Sequence, residues 1–206
     1  MMQLTHSPSS PFVRKALATA IETGAAERLT LVPADPWNPD DPLPHTNPLG
    51  KVPALVAEDG SILTGSTLVA EYLDSLHDGR KLFPAEGAER WRALRLHALA
   101  DGMLEAAVAR VIEQLRRPAD KIWEGWIDRQ NEKIRRTLDV VEALAAAGEL
   151  AEEPSIGELT LACLFGYLDF RFPDVAWRSG RPALTAWNAV VQARPSLRET
   201  QPVAPQ

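Results

Sequence analysis

The chain has 206 residues, of which 45% are hydrophobic and 24% charged, with a net charge of −6 at pH 7. That length allows one large or two small domains with a sizeable core. The acidic balance argues against nucleic acid or an anionic membrane surface as the main partner, and no apolar run approaches the roughly 20 residues needed to span a bilayer.

The single cysteine, Cys163, excludes an internal disulfide framework and fits a reducing, cytoplasmic setting. The start of the chain, Met1-Met2-Gln3-Leu4, has no basic stretch followed by an apolar one, so no signal peptide is expected.

Met2 to Leu4 is a short strand candidate. His6-Ser7-Pro8-Ser9-Ser10-Pro11 reads as a turn, with Ser10 a good N-cap and Pro11 a good first helical residue. Phe12, Val13, Ala16, Leu17, Ala20 and Ile21 recur at helical spacing, and Gly24 stops the helix. Leu29 to Val32 is a second strand, with Leu29 and Leu31 alternating against Arg28 and Thr30. Pro33 to Pro48, rich in Pro, Asp and Asn and containing Trp37 and His45, reads as a long surface loop. Long ordered loops tend to be functional.

Asn47-Pro48-Leu49-Gly50-Lys51-Val52-Pro53-Ala54-Leu55 is the stretch around which the N-terminal half is organised. Pro48 and Gly50 set a turn. Pro53 opens a third strand to Ala57, where a residue without a backbone donor belongs at the strand start or on an edge. An ordinary turn into a strand and a cis Val52–Pro53 bond are both open on these residues alone. Asp59-Gly60 joins this strand to a fourth, Ser61 to Leu63. Ser66 is a candidate cap for a helix through Leu68, Val69, Tyr72, Leu73 and Leu76.

The remainder carries only helical patterns. Leu82-Phe83-Pro84 and Glu86-Gly87 lie in a linker. Glu89 to about Arg116 is a long amphipathic helix, ended by Pro118 and expected to bend at Asp101-Gly102. Another runs from Ile122 to Leu144, stopped by Gly148. Ser155 with Glu158 fits a capping box ahead of Leu159 to Phe165, a segment apolar nearly all round and therefore a buried central helix. Gly157 in its first turn costs up to about 1 kcal/mol of helix stability. Pro182 to Arg194 is a last helix, and the tail from Glu199, with Pro202 and Pro205, is expected on the surface.

Four segments carry a resemblance: Ser7 to Lys15; Asn47 to Leu55; Thr64-Gly65-Ser66-Thr67 with Ala70 to Leu73; and Ser155 to Ala162. In this order and spacing, over almost the whole chain, they resemble a cytosolic glutathione transferase, the first segment looking most like a bacterial serine-type branch. The resemblance implies an α/β thioredoxin-like domain (1–78) that binds glutathione, a linker (79–87), and an all-α domain (88–206) contributing the electrophile site. It also implies a cis-proline at Pro53 and a homodimer. The implied partners are glutathione as co-substrate and a small hydrophobic second substrate, with no nucleic acid, membrane or metal.

Such a site must favour an anion. A thiol like that of cysteine has a pKa of about 8.5, and a hydrogen bond to a charged group is worth about 1.5–3 kcal/mol, or one to two pKa units. Ser10 matches the family position for this role; Ser9 and Ser7 are alternatives, and a plain N-cap serine is the bland reading of Ser10. Arg14, one turn on, adds positive field or sits on a solvated face.

Val52 matches the residue whose backbone pairs with the cysteinyl unit. Lys51 is a candidate for the glycine carboxylate, and Trp37 either flanks the peptide or packs. Ser66 and the N–H groups of its helix suit the γ-glutamyl carboxylate. The family commonly places an acidic residue or Gln before that serine, whereas this chain has Gly65. Ammonium recognition then falls to another group, with Asp101 across a dimer interface the candidate.

Cys163, in an apolar helix, is expected to be a core residue, which disfavours exchange chemistry through a protein thiol. His6, His45, His77 and His97 lack ligand spacing, and neither a phosphate loop nor a nucleophile elbow is present. Two alternatives to transfer remain: a weakly binding or non-catalytic scaffold, and glutathione-dependent disulfide reduction.

Overall fold

The computed structural model describes residues 1–173 and 175–204; Pro205 of the expected surface tail lies outside them. The chain forms two compact units. The first is Met1–Gly87 together with the chain from Arg194 onward, and the second is Ala88–Ala193. The C-terminal segment, grouped from sequence with the helical domain, thus clusters with the N-terminal unit.

In the first unit a four-stranded sheet has the order β2-β1-β3-β4, with β1 (Met2–His6), β2 (Leu29–Pro33), β3 (Ala54–Val56) and β4 (Ile62–Thr64). β1 runs parallel to β2 and antiparallel to β3, and β3 and β4 form the expected antiparallel hairpin. Met2 and Leu4, two residues apart and hence on one face, pack with Leu55 against Ala16 and Ala20 of α1 (Pro11–Glu22) and Val69 and Leu73 of α3 (Ser66–Ser75). The short α2 (Leu43–Thr46) interrupts the loop after β2.

β2 departs from its expected alternation. Leu29 packs on the core, but Leu31 and Val32 are exposed, because β2 is an outer strand of the sheet. The linker is more ordered than its sequence suggests. The buried Asp74 carboxylate accepts the N–H groups of Leu82 and Phe83, both at 2.9 Å, and both side chains are buried.

The second unit contains α4 (Gly87–Arg116), α5 (Glu124–Ala146), α6 (Ile156–Arg171) and α7 (Pro182–Val191). Ile122 and Trp123 fall outside α5, with Trp123 at its N-cap and exposed. α6 is buried along most of its length, Cys163 included.

Its capping box is complete. Ser155 Oγ accepts from the Gly157 N–H at 3.2 Å, Ser155 N–H donates to Glu158 Oε2 at 3.0 Å, and the Ser155 hydroxyl donates to the same oxygen. Glu158 is 0% exposed and is reached by Arg92 Nη1 at 2.7 Å. Burial pushes the Glu158 carboxyl up, but the bonds from Ser155 and Arg92 outweigh it and hold the group below its ordinary value.

Gly157 has a reason beyond the helix: a Cβ there would stand 2.8 Å from both the Ala93 carbonyl oxygen and Leu96 Cβ. A side chain would therefore force α6 away from α4.

α7 ends three residues before the expected Arg194. That residue precedes Pro195 and is extended (φ −64°, ψ 142°), as the clash of a proline ring with the preceding residue favours. Pro195 opens a separate turn, α8 (Pro195–Arg198).

Candidate functional site: the end of the sheet

Strand register brings the candidate residues of the first unit together. β1 and β3 are antiparallel with Leu4 opposite Leu55, so the end of β1 at His6 lies beside the start of β3 at Pro53. Ala54 stands opposite Thr64, so the Gly65-Ser66 junction shares that end. His6 also pairs with Pro33, which brings in the loop bearing Trp37.

Ser10 occupies the N-cap of α1. Its N–H closes a turn on the Ser7 carbonyl at 3.1 Å, and its Oγ accepts from the Val13 N–H at 3.3 Å. The capping reading is therefore correct, and it leaves the hydroxyl's one donor unused: among the described residues the Ser10 O–H donates to nothing. Residue N3 of α1 is Val13, which returns no bond of the kind Glu158 supplies to Ser155. His6, just before this turn, is held by burial below its ordinary pKa, so it is neutral at pH 7 and adds no positive field.

The Val52–Pro53 bond is cis. Among the described residues, neither the N–H nor the C=O of Val52 forms a hydrogen bond, which leaves a donor and an acceptor for an extended peptide. Two residues that the sequence reading did not single out hold this segment. The Thr5 hydroxyl accepts from the Ala54 N–H at 2.7 Å and donates to the Ala54 carbonyl at 3.3 Å. The buried Asn47 donates through Nδ2 to the Lys51 carbonyl at 2.7 Å and accepts the Leu49 N–H at 3.1 Å. The Asn-Pro-Leu-Gly sequence carried the second signal, since asparagine side chains organise turns two residues on. Lys51 itself is exposed.

Ser66 is the first helical residue of α3, not its cap. Gly65 takes the N-cap position with no side-chain bond, and its N–H donates to the Pro53 carbonyl at 3.4 Å. Gly65 has φ +88°, a left-handed region where glycine is unstrained. Ser66 is 7% exposed, and its hydroxyl forms no hydrogen bond among the described residues.

The unpaired N–H groups of the first turn and the helix dipole suit a carboxylate there. The fully buried Lys15 of α1 donates to Thr67 Oγ1 at 3.3 Å, tying the first turn of α3 to α1; its burial gave no signal in sequence.

Trp37 is 47% exposed, with its N–H on Asp35 Oδ1 at 3.0 Å, in a loop pinned by Asp41, which accepts from Asp35 and Leu43. Ser7 and Ser9 lie in the turn before Ser10. Asp101 is a half-buried residue of α4 in the second unit.

Residues 9–76 match the model of the glutathione S-transferase N-terminal domain, and residues 124–187 that of the C-terminal domain. A glutathione transferase family member from Pseudomonas fluorescens Pf-5, solved with bound glutathione, shares 43% identity with a TM-score of 0.93, over 99% of this chain and 100% of that one. A glutathione S-transferase from Methylobacillus flagellatus KT with bound glutathione shares 31% identity with a TM-score of 0.90, over 98% of this chain and 100% of that one. The "Uncharacterized GST-like protein YibF" of Escherichia coli K12 is 36% identical over 202 residues, 98% of each chain. The chain belongs to the glutathione S-transferase family.

Proposed function

We propose that the protein is a glutathione transferase in which the Ser10 hydroxyl donates a hydrogen bond to the glutathione thiolate, activating it for attack on a small hydrophobic electrophile or a peroxide. The observation that carries this reading is the Ser10 O–H. It is anchored as an acceptor by Val13, unspent as a donor, and set at the same sheet end as the open Val52 backbone edge and the unbonded Ser66 hydroxyl.

In this reading the Val52 N–H and C=O pair with the cysteinyl unit beside Pro53. The Ser66 hydroxyl and the α3 N-terminus take the γ-glutamyl carboxylate, and Lys51 meets the glycine carboxylate. Trp37 flanks the peptide. Gly65 contributes backbone only, so the γ-glutamyl ammonium goes to Asp101 from the second copy of a cytoplasmic homodimer. The glutathione-bound relatives from two bacteria support the ligand.

The absence of any side chain at Gly65 favours one competing reading, a weakly binding scaffold. Buried Cys163 gives no support to exchange through a protein thiol, though reduction by glutathione alone survives.

The deciding experiment is calorimetric titration with glutathione, followed by assays against a panel of electrophiles, peroxides and disulfides. The expected result is a saturable heat of binding and turnover with electrophiles. Absence of binding heat at millimolar glutathione overturns the transferase reading and leaves the scaffold.

A further inference from the structure

The segment from Arg194 to Val203 is not a loose tail. It runs back along α1, in the opposite direction, toward the turn that carries Ser10. Arg194 grips Glu22, at the far end of α1, through Nε and Nη2 at 2.9 and 2.7 Å, and the Ser196 hydroxyl donates to the same carboxylate. Burial raises the Glu22 carboxyl, but those two partners hold it below its ordinary value, so the clasp is ionised at neutral pH.

Nearer the N-terminus of α1, Arg14 Nη2 donates to the Leu197 carbonyl at 3.0 Å, with both residues buried. Beyond the helix, the Val203 N–H donates to the Pro8 carbonyl at 3.3 Å.

The last tie falls on a sensitive atom. Ser7 to Ser10 is a four-residue turn closed by the Ser10 N–H on the Ser7 carbonyl. The Pro8 carbonyl belongs to the central peptide of that turn. Turn types I and II differ by the orientation of this peptide, and its orientation sets how the chain enters Ser10. Ser9 has no positive φ, so the turn is not type II, and a donor on the Pro8 oxygen holds this peptide in the orientation it already has.

We propose that Arg194 to Val203 is a positioning strap for the thiolate site: anchored on Glu22 and Arg14, it locks the Pro8–Ser9 peptide through the Val203 N–H and so aims the Ser10 hydroxyl. This rests on the reading of Ser10 given above.

Val203→Pro removes the N–H and is the test variant; Val203→Ala keeps it and is the control. Two quantities are measured: the pH midpoint of kcat/KM with glutathione, and the affinity for S-methylglutathione, which has no ionisable thiol. One net hydrogen bond corresponds to roughly a threefold effect at the low end of its range, or about half a pH unit. Val203→Pro is expected to raise the pH midpoint by that amount and lower kcat/KM about threefold at neutral pH, with S-methylglutathione affinity unchanged and Val203→Ala like wild type. A pH midpoint that stays put in Val203→Pro, or moves equally in Val203→Ala, overturns the strap.

Failure of the Ser10 reading looks different: the wild-type complex then shows no lowered thiol midpoint. In that case amide exchange in the ligand-free protein decides the strap. Faster exchange of the Ser10 N–H in Val203→Pro alone supports it, and equal rates overturn it.

Discussion

Among the described residues two serines cap helices, and they differ in whether the hydroxyl's donor is used. Ser155 is closed in on itself. It accepts from Gly157 and donates to Glu158 through both its hydroxyl and its backbone N–H, and Arg92 also holds that buried carboxylate. Every polar group of the box is spent inside the second unit. Ser10 performs the same capping of a helix N-terminus but meets Val13 at the position where Ser155 meets Glu158. Among the described residues its donor is left over, at the end of the sheet, beside the Val52 backbone edge, which forms no hydrogen bond. The local chemistry is the same hydroxyl; the residue three places on decides whether its donor is used within the cap or, in the proposed function, is kept for a ligand.

The comparison breaks most visibly at Ser10. Ser10→Ala is expected to lower kcat/KM with glutathione about 10- to 100-fold, because a hydrogen bond to an anion is worth about 1.5–3 kcal/mol, and to raise the pH midpoint by one to two units. Stability falls by only about 1 kcal/mol, the value of an N-cap. Steady-state rates across pH check this; Ser7→Ala and Ser9→Ala keep wild-type profiles, and a full-activity Ser10→Ala enzyme removes Ser10 from the role.

Gly157→Ala sharpens the other side. A Cβ 2.8 Å from the Ala93 carbonyl overpacks the contact, costing about 2 kcal/mol net of the modest helix-propensity gain. Chemical denaturation measures it, and glutathione affinity is expected to stay near wild type.

Ser155→Ala comes next, with a loss of about 1–2 kcal/mol of stability, and leaves the thiol midpoint untouched. A variant that moved both properties would contradict the division between the two caps.

The smallest effect is in acid. Because the folded Glu158 carboxyl titrates below its unfolded counterpart, its stabilisation is complete above the unfolded pKa and disappears as pH falls through the folded one, below the ordinary glutamate range. Glu158→Gln is expected to be less stable at neutral pH and to show a shallower acid slope in denaturation midpoints.

Much of this was legible in the residues. Ser10-Pro11 and Ser155 with Glu158 are local signals, and both caps formed where their spacing placed them. The hairpin across Asp59-Gly60 and the long helix ending near Arg116 followed from turn chemistry and periodicity. Errors gathered where a distant element intervenes. Ser66 reads as a cap by residue type, yet the left-handed Gly65 takes that place. Leu31 reads as core by alternation, yet its strand is at the sheet margin.

The sequence by itself determined the element types, the two serine caps and the family resemblance, because each rests on residues within a few positions of one another. The tertiary structure alone decided that Gly157 is a point of close approach, that Asp74 pins the linker, and that the segment from Arg194 returns to α1. Those contacts join residues as far apart as 183 positions, and no periodicity or cap motif encodes which distant carbonyl a buried arginine will meet.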